Sequence, residues 1–242
     1  MNITAIIQAR LGSSRLPAKV MKTLEDKSVL GHVITRVRAI PLVNNVVVAT
    51  TNAIEDEEIC KEAKRYKVDC YKGSINNVLK RYYEAAKLSN ADVIVRITSD
   101  CPLIDPNISN KVIKYFINSH IDYLSSGLSN TFPRGLDTEV FTFQALEKAH
   151  EESTKEYELE HVTPYIYENP DLFRIRVYSN EQNFSHYRLT LDTIEDWKLI
   201  SEIYKKLYTG RVFGLDDTIH LLQSHPELAL INSQVKQKEL GE

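Results

Sequence analysis

Short apolar runs alternate with amphipathic segments through the first half of the chain, and this order strongly limits the possible folds. Four runs have the length and composition of buried strands: 3–7, 45–50, 68–71 and 92–97. Three segments between them have helical character: 28–39, 55–66 and 77–88. Strands that alternate with helices pair in parallel, and the helices cover both faces of the sheet. We therefore predict an α/β protein with a mostly parallel, Rossmann-like sheet.

The alternation of strands and helices ends at about residue 119. Its last helix is predicted to begin at Asp105-Pro106, because proline suits the first helical position. The later segments predict strands at 123–126, 136–142 and 173–178, a loop at 125–135, a helix at 158–168 interrupted by Pro164, a last core strand at 188–193 and a helix at 194–208. We predict one domain over residues 1–242, with a small inserted substrate or dimerisation subdomain at about 130–187.

Composition excludes several classes of protein. The 242 residues are 43% hydrophobic and carry a net charge of −3, which does not fit a nucleic-acid-binding surface. No apolar run is long enough to span a membrane. The three cysteines, Cys60, Cys70 and Cys101, are an odd number that fits a reducing compartment better than a disulfide framework. We expect a soluble, cytoplasmic protein with neither a nucleic-acid nor a membrane partner.

The loop that follows the first strand is small, polar and basic. Arg10, Arg15 and Lys19 lie within it, together with a single glycine, Gly12. It matches neither common glycine-rich phosphate motif, so its side-chain cations must do most of the anion binding. A loop at the carboxyl end of a strand in an open α/β sheet is where ligands bind. We interpret it as a polyphosphate site, the alternative being a solvated basic turn.

Two aspartates follow other predicted strands. Asp100 comes directly after the run 92–97, where a carboxylate can hold Mg²⁺ or can cap the following turn. Asp192 ends the segment 188–193, where an ordinary helix N-cap is the simplest interpretation. The residues alone leave both alternatives open.

The segment from Gln8 to Lys19, with its Q-A-R and R-L-P-x-K motifs, resembles the N-terminal signature of the sugar-activating cytidylyltransferases. That family includes the CMP-sialic acid and CMP-Kdo synthetases, and the spore coat polysaccharide biosynthesis branch is the nearest match. The similarity extends over nearly the whole chain, through F-P-R-G-L-D-T-E-V-F at 132–141 and E-H-V-T-P-Y at 160–165 to L-D-T-I-E-D at 191–196. It implies a GT-A-like nucleotidyltransferase sheet and a homodimer.

The resemblance also implies roles for individual residues. Magnesium would be held by Asp100 and Asp192, and Arg10, Arg15 and Lys19 would hold the departing pyrophosphate as catalytic residues. Nucleotide-binding residues would be Gln8, Ala9, Arg10, Gly12, Ser13, Ser14, Arg15, Lys19, Asn76, Asn77, Arg81, Thr98 and Ser99. Acceptor-binding residues would be Arg134, Asp137, Glu139, His161 and Arg188.

The acceptor residues carry mixed charge. Asp137 and Glu139 are two apart on a predicted strand and so share a face, which suits an acceptor with an amine or hydroxyls. An acceptor carboxylate would need Arg134 or Arg188 to neutralise it. His161 could orient the acceptor or pack at a dimer interface, although a lone histidine beside apolar residues is more often structural.

Together these features predict a Mg²⁺-dependent enzyme that transfers CMP from CTP to an acidic sugar or small phosphorylated acceptor, releasing pyrophosphate for surface polysaccharide synthesis. One alternative is a nucleotide-sugar-dependent glycosyltransferase, for which Asp137-Thr138-Glu139 is the nearest variant of the usual Asp-x-Asp motif. The other is a non-catalytic nucleotide-binding protein. We also expect Lys19 to lie in a solvent-facing loop, so that its removal leaves the fold intact.

Overall fold

The computed structural model describes residues 1–237, which form a sheet flanked by helices. Its strands are β1 (Ile3–Gln8), β2 (Thr23–Leu24), β3 (Lys27–Ser28), β4 (Asn45–Thr51), β5 (Asp69–Gly73), β6 (Val93–Thr98), β7 (Tyr123–Ser125), β8 (Glu139–Thr142) and β9 (Ile175–Val177). Its helices are α1 (Val29–Arg38), α2 (Glu57–Arg65), α3 (Val78–Leu88), α4 (Pro106–Ile117), α5 (Phe143–Glu152), α6 (Glu156–His161), α7 (Pro164–Tyr167), α8 (Ile194–Leu207), α9 (Leu215–Ser224) and α10 (Pro226–Leu230).

Seven of the strands make one sheet in the order β5-β4-β1-β6-β8-β7-β9. The four strands from β5 to β6 are parallel, so their carboxyl ends lie at one edge. β8 runs antiparallel to both β6 and β7, and β9 pairs in parallel with β7. The predicted mostly parallel α/β sheet is confirmed. The proposed subdomain contributes β8 and β9 to this same sheet, and its boundaries stay a prediction.

Each face of the sheet has its own apolar core because side chains alternate along every strand. In β1, Ala5 and Ile7 pack with α1, α2 and α4, whereas Ile6 packs on the other face with α3 and α5. A third apolar cluster lies between α8, α9 and the segment 188–191. Five helices, α1, α3, α4, α5 and α8, begin at side-chain caps, as at Asp105, whose carboxylate accepts from the backbone of Asn107 and Ile108.

The predicted last core strand at 188–193 is wrong. Arg188 makes only an isolated bridge with Arg134, and the segment crosses the end of the sheet. Leu191 donates to the carbonyl of Asp100 over 2.8 Å, so the segment is anchored to the loop after β6 rather than to a strand. Gly135 permits this course: its φ is 104°, and a Cβ there would lie 2.5 Å from the backbone nitrogen of Thr190.

Two other expectations need correction. Cys60 on α2 and Cys70 on β5 form a disulfide, because the packing of these elements brings their Cα atoms to 5.4 Å, within bridging distance. The predicted strand at 136–142 is shorter and begins at Glu139, since the preceding residues turn around Gly135. Within residues 1–237, no helix combines the length and apolar character needed to cross a bilayer.

Candidate active site

A cavity of about 980 Å³ opens at the carboxyl ends of β1 and β6. The loop after β1, the turn after β6 and the segment 188–193 line it, as do parts of the region from Ser125 to Tyr167. Among the predicted site residues, those that line it are Gln8, Ala9, Arg10, Gly12, Ser13, Ser14, Arg15, Lys19, Arg81, Thr98, Ser99, Asp100, Arg134, Asp137, Glu139, His161 and Asp192. Asn76, Asn77 and Arg188 are not among the lining residues.

The loop after β1 is fixed by contacts with the body of the protein. The backbone nitrogen of Leu11 donates to the buried carboxylate of Asp56 over 2.8 Å, and that of Ala18 donates to the Leu11 carbonyl. Ala18 adopts a left-handed conformation with φ 52°, which turns the chain towards Lys19. A Cβ at Gly12 would contact nothing within 4 Å, so protein packing does not require glycine there.

Lys19 lies between the two predicted metal ligands. Its Nζ is 2.8 Å from a carboxylate oxygen of Asp100, from one of Asp192 and from the carbonyl oxygen of Leu191. The residue is only 9% exposed, so the expectation that it faces solvent is wrong. Burial opposes the charge of Lys19, but the two carboxylates outweigh it and raise the pKa of Lys19. Burial likewise opposes the charge of Asp100, but Lys19 outweighs it and lowers the pKa of Asp100.

Further cations contact Asp192 from the other side. Arg15 lies 3.1 Å and Arg188 2.8 Å from its second carboxylate oxygen. Arg188 also pairs with Asp196 at 2.9 Å, and Asp196 accepts from the side chain of Asn232. Burial favours the neutral form of Asp196, but these contacts outweigh it and lower the pKa of Asp196. We call the six charged residues the aspartate cluster: Arg15, Lys19, Asp100, Arg188, Asp192 and Asp196.

The donor set around Lys19 suits a magnesium ion. Two carboxylate oxygens and one carbonyl oxygen already surround a cationic atom there, and Mg²⁺ prefers oxygen ligands of this kind. Across residues 1–237, no group of three or more His, Cys, Asp or Glu side chains is arranged to hold a metal ion. A metal held by Asp100 and Asp192 would therefore need phosphate oxygens and water as further ligands.

Arg81 is buried beside the cavity, and its hydrogen bonds within the described residues go to backbone carbonyls. It donates to the carbonyl oxygen of Ser74 over 2.7 Å, its Nε has no partner, and burial lowers its pKa. Such a guanidinium is suited to an acceptor group on a ligand. Asn77 instead caps α3 by accepting from the backbone of Lys80.

A second ion pair lies at the far side of the cavity. Arg96 on β6 stands directly opposite Glu139 on β8, and its guanidinium donates to that carboxylate over 2.5 Å. Tyr123 and Thr163 donate to the other carboxylate oxygen over 2.7 and 3.0 Å. Although burial disfavours the charge, Glu139 raises the pKa of Arg96. Sequence reasoning identified Glu139 but missed its three partners, of which only Arg96, a cation within an apolar run, gave a signal.

Polar groups of the predicted acceptor region line the same cavity. Asp137 accepts from the backbone of Gly135 over 3.1 Å, and burial raises its pKa. His161 borders the cavity, and burial lowers its pKa. Val162 adopts φ 74° and ψ −52°, and Thr163 donates to the His161 carbonyl across it, which is a strained γ-turn. The turn directs Thr163 towards Glu139.

The single tryptophan lies next to the aspartate cluster. Trp197 follows Asp196 in the first turn of α8, and its backbone nitrogen donates to Thr193. The Lys22 ammonium lies 5.0 Å from the centre of its ring, which is a cation–π contact.

The fold and the cavity define a class of protein: an α/β nucleotidyltransferase with basic side chains and paired aspartates at the carboxyl edge of its sheet. A cytidylyltransferase family model matches residues 4–224, and the chain belongs to that family of CTP-dependent nucleotidyltransferases. The resemblance seen in the sequence is thereby confirmed.

Three relatives are similar in sequence. An uncharacterized protein of Methanocaldococcus jannaschii, MJ1063, is 39% identical over 100% of this chain and 99% of its own. The spore coat polysaccharide biosynthesis protein SpsF of Bacillus subtilis is 30% identical over 94% of this chain and 97% of its own. A 3-deoxy-manno-octulosonate cytidylyltransferase of Trichlorobacter lovleyi is 36% identical over 49% of this chain and 46% of its own.

Two solved structures share the fold. A cytidylyltransferase from Leptospira borgpetersenii superposes with a TM-score of 0.91 at 36% identity, covering 99% of this chain and 100% of its own. A CMP:2-keto-3-deoxy-manno-octonic acid synthetase in complex with CTP superposes with a TM-score of 0.68 at 14% identity, covering 85% of this chain and 99% of its own. At that identity the second likeness concerns the fold alone.

Proposed function

We propose that this protein transfers CMP from CTP to a small acidic acceptor and releases pyrophosphate in a magnesium-dependent reaction. The observation that carries the proposal is the position of Lys19 between Asp100 and Asp192, at the sheet edge where the basic loop ends. Cationic groups that would bind a polyphosphate thus lie beside carboxylates that would hold a metal, which supports the proposal because nucleotidyl transfer needs both.

Residues at different places in the cavity would bind the phosphates, the metal ion and the base. Arg10, Arg15 and Lys19 would bind the β- and γ-phosphates and stabilise the pyrophosphate as it leaves. Asp100 and Asp192 would hold Mg²⁺, which when bound offsets negative charge on the phosphate oxygens. Arg81 would contact the base, because it is a buried donor whose Nε has no hydrogen-bond partner in the described part of the chain.

The acceptor would lie between the aspartate cluster and the Arg96–Glu139 pair. Its oxygen would attack the α-phosphorus in line with the departing pyrophosphate, so positioning would supply most of the catalysis. A carboxylate or phosphate on the acceptor would need no general base. Arg134 borders this part of the cavity and would attract the acceptor's negative charge, whereas Asp137 and His161 would contact hydroxyls or an amine.

We extend the proposal to the biological role and the assembly. SpsF is named for spore coat polysaccharide biosynthesis, which supports a role in making an activated unit for a surface glycan. We also propose a homodimer, in which the outer strand β9 and its exposed Val177 would be covered by the second copy. Light scattering during gel filtration would measure the mass in solution, and a monomer would contradict this part.

Pyrophosphate release tests the main proposal. The protein is incubated with Mg²⁺, each of the four nucleoside triphosphates and a panel of acidic sugars, small phosphates and phosphonates. We expect release with CTP and one acceptor class, and none from Asp100→Asn. Cleavage of a nucleotide sugar with no release from any triphosphate would favour a glycosyltransferase. Tight nucleotide binding without either reaction would favour a binding protein.

A further inference from the structure

The position where a divalent cation would join the two aspartates is taken by a cation of the protein itself. Lys19 Nζ is 2.8 Å from both carboxylates and from the carbonyl of Leu191. Two cationic centres cannot share one set of oxygens at such distances, because their repulsion would be large in a site with little water. A metal ion held by both aspartates therefore requires that the Lys19 ammonium move away.

The formal charge of the aspartate cluster is already balanced. Ion pairs connect three carboxylates, those of Asp100, Asp192 and Asp196, with three cations, those of Arg15, Lys19 and Arg188. The sum is therefore zero. Asp196 is fully buried, and the side chains of Asp192, Lys19 and Arg188 are mostly buried, so an added divalent charge would be weakly screened there.

A nucleoside triphosphate changes this balance. Its phosphates bring roughly four negative charges at neutral pH, which can attract both a divalent cation and the basic side chains of the loop. Lys19 is suited to exchange partners, since its ammonium is a point charge on a flexible four-carbon stem. The residue lies at the start of the short 3₁₀ turn Lys19–Met21, at the end of the basic loop that borders the cavity.

We propose that Lys19 enforces an order of binding: the aspartate pair accepts a divalent cation only together with the nucleotide, when Lys19 transfers from the carboxylates to the polyphosphate. The inference rests on the proposed function, in that Asp100 and Asp192 are the metal ligands. It goes further in giving Lys19 a second task as a positioning residue, which excludes the metal until the nucleotide is present. A purely structural Lys19 would tie the turn after β6 to residues 191–192 without affecting metal affinity.

Manganese binding in the absence of nucleotide separates these roles. Free Mn²⁺ is measured by electron paramagnetic resonance during titration of the wild-type protein, Lys19→Met, Lys22→Met and the double variant Lys19→Met/Asp100→Asn. Lys22→Met is the matched control, because it removes a nearby positive charge that contacts Trp197 rather than the aspartates. Thermal melting verifies folding, and Lys19→Gln replaces Lys19→Met if the latter does not fold.

We expect Lys19→Met to gain one Mn²⁺ site at least about tenfold tighter than any site in the wild type, because the competing charge is gone. Lys22→Met should resemble the wild type, and the double variant should lose the gained site. Equal Mn²⁺ affinity in the wild type and Lys19→Met, or a gain that survives Asp100→Asn, would overturn the inference.

Pyrophosphate release by the same wild-type preparation distinguishes this inference from the proposed function. Release together with tight Mn²⁺ binding to the nucleotide-free wild type would overturn the binding order alone. A gained Mn²⁺ site in Lys19→Met without release from any triphosphate would support the exchange of Lys19 for metal and overturn the proposed transfer.

Discussion

The aspartate cluster and the Arg96–Glu139 pair are both buried ionic groups at the same cavity, yet they are built differently. In the pair, Glu139 has a guanidinium, a phenol and a threonine hydroxyl as fixed donors, and it joins two strands in register. In the cluster, Lys19 and Arg15 come from a loop and contact Asp192 from a third segment. The comparison suggests that the pair positions the cavity wall, whereas the cluster can exchange its partners.

Replacing Asp100 should have the largest effect on activity. Asp100→Asn removes one proposed metal ligand while keeping its shape and leaving Lys19 bonded to Asp192 and Leu191. We expect kcat/KM for CTP to fall by about 10³-fold or more, since transition-state charge is then poorly stabilised. Steady-state pyrophosphate release measures the loss. A variant that mainly melts at lower temperature and keeps its turnover would assign Asp100 to capping.

Breaking the Arg96–Glu139 pair should mainly affect stability. Glu139→Gln leaves the buried guanidinium of Arg96 without its countercharge, and we expect the free energy of unfolding to fall by about 3 kcal/mol. Urea denaturation measures this change. Glu156→Gln is the matched control, because Glu156 also borders the cavity but is exposed. Equal stability of the two variants would contradict the contrast between a fixed pair and an exchangeable cluster.

Acid should lower the free energy of unfolding by protonating His32, a buried histidine that belongs to neither ionic group. His32 donates from Nε2 to the carbonyl of Leu24, and burial lowers its pKa to about 4. The unfolded chain, with a histidine pKa near 6.5, binds the proton first, so stability is complete above about pH 6.5 and declines towards pH 4. Between pH 7.5 and 5 the decline should be about 2 kcal/mol in urea denaturation.

A matched pair of histidine variants isolates this effect. His32→Gln should flatten that part of the pH dependence, whereas His220→Gln, at an exposed position on α9, should leave it unchanged. If His32→Gln keeps the full dependence, the acid sensitivity belongs to the carboxylates of the two ionic groups.

The parallel half of the fold could be predicted because its signals, apolar runs and helix caps, are each contained in a short stretch of sequence. Each apolar run between β1 and β6 is bounded by residues that cap or end the neighbouring helices, as at Ser28 and Asn77. The segment 188–191 misled the prediction because Leu189 and Leu191 alternate for another reason: they pack on α8 and α9 while the chain crosses the end of the sheet. Apolar residues at alternate positions indicate that one face of a segment is buried, but they do not show whether a strand or a helix covers that face.

The site was predictable in its residue types but not in its contacts. The motifs identified Lys19, Asp100 and Asp192, yet nothing local shows that a lysine reaches carboxylates 81 and 173 residues away. Arg96 within an apolar strand required a partner, but the choice of Glu139 depends on the register of β8 against β6. The Cys60–Cys70 disulfide likewise depends on how α2 packs on β5.

Trp197 gives the molecule an optical property. It is the only tryptophan in the sequence, it adjoins Asp196, and its ring lies under the Lys22 ammonium. All indole emission therefore originates from a residue that follows Asp196 in the chain and whose ring contacts Lys22, so a change in the charge or position of Lys22 alters the field around one fluorophore. The intrinsic fluorescence of Trp197, through its emission wavelength and intensity, can therefore report ligand binding at this edge of the sheet without chemical labelling.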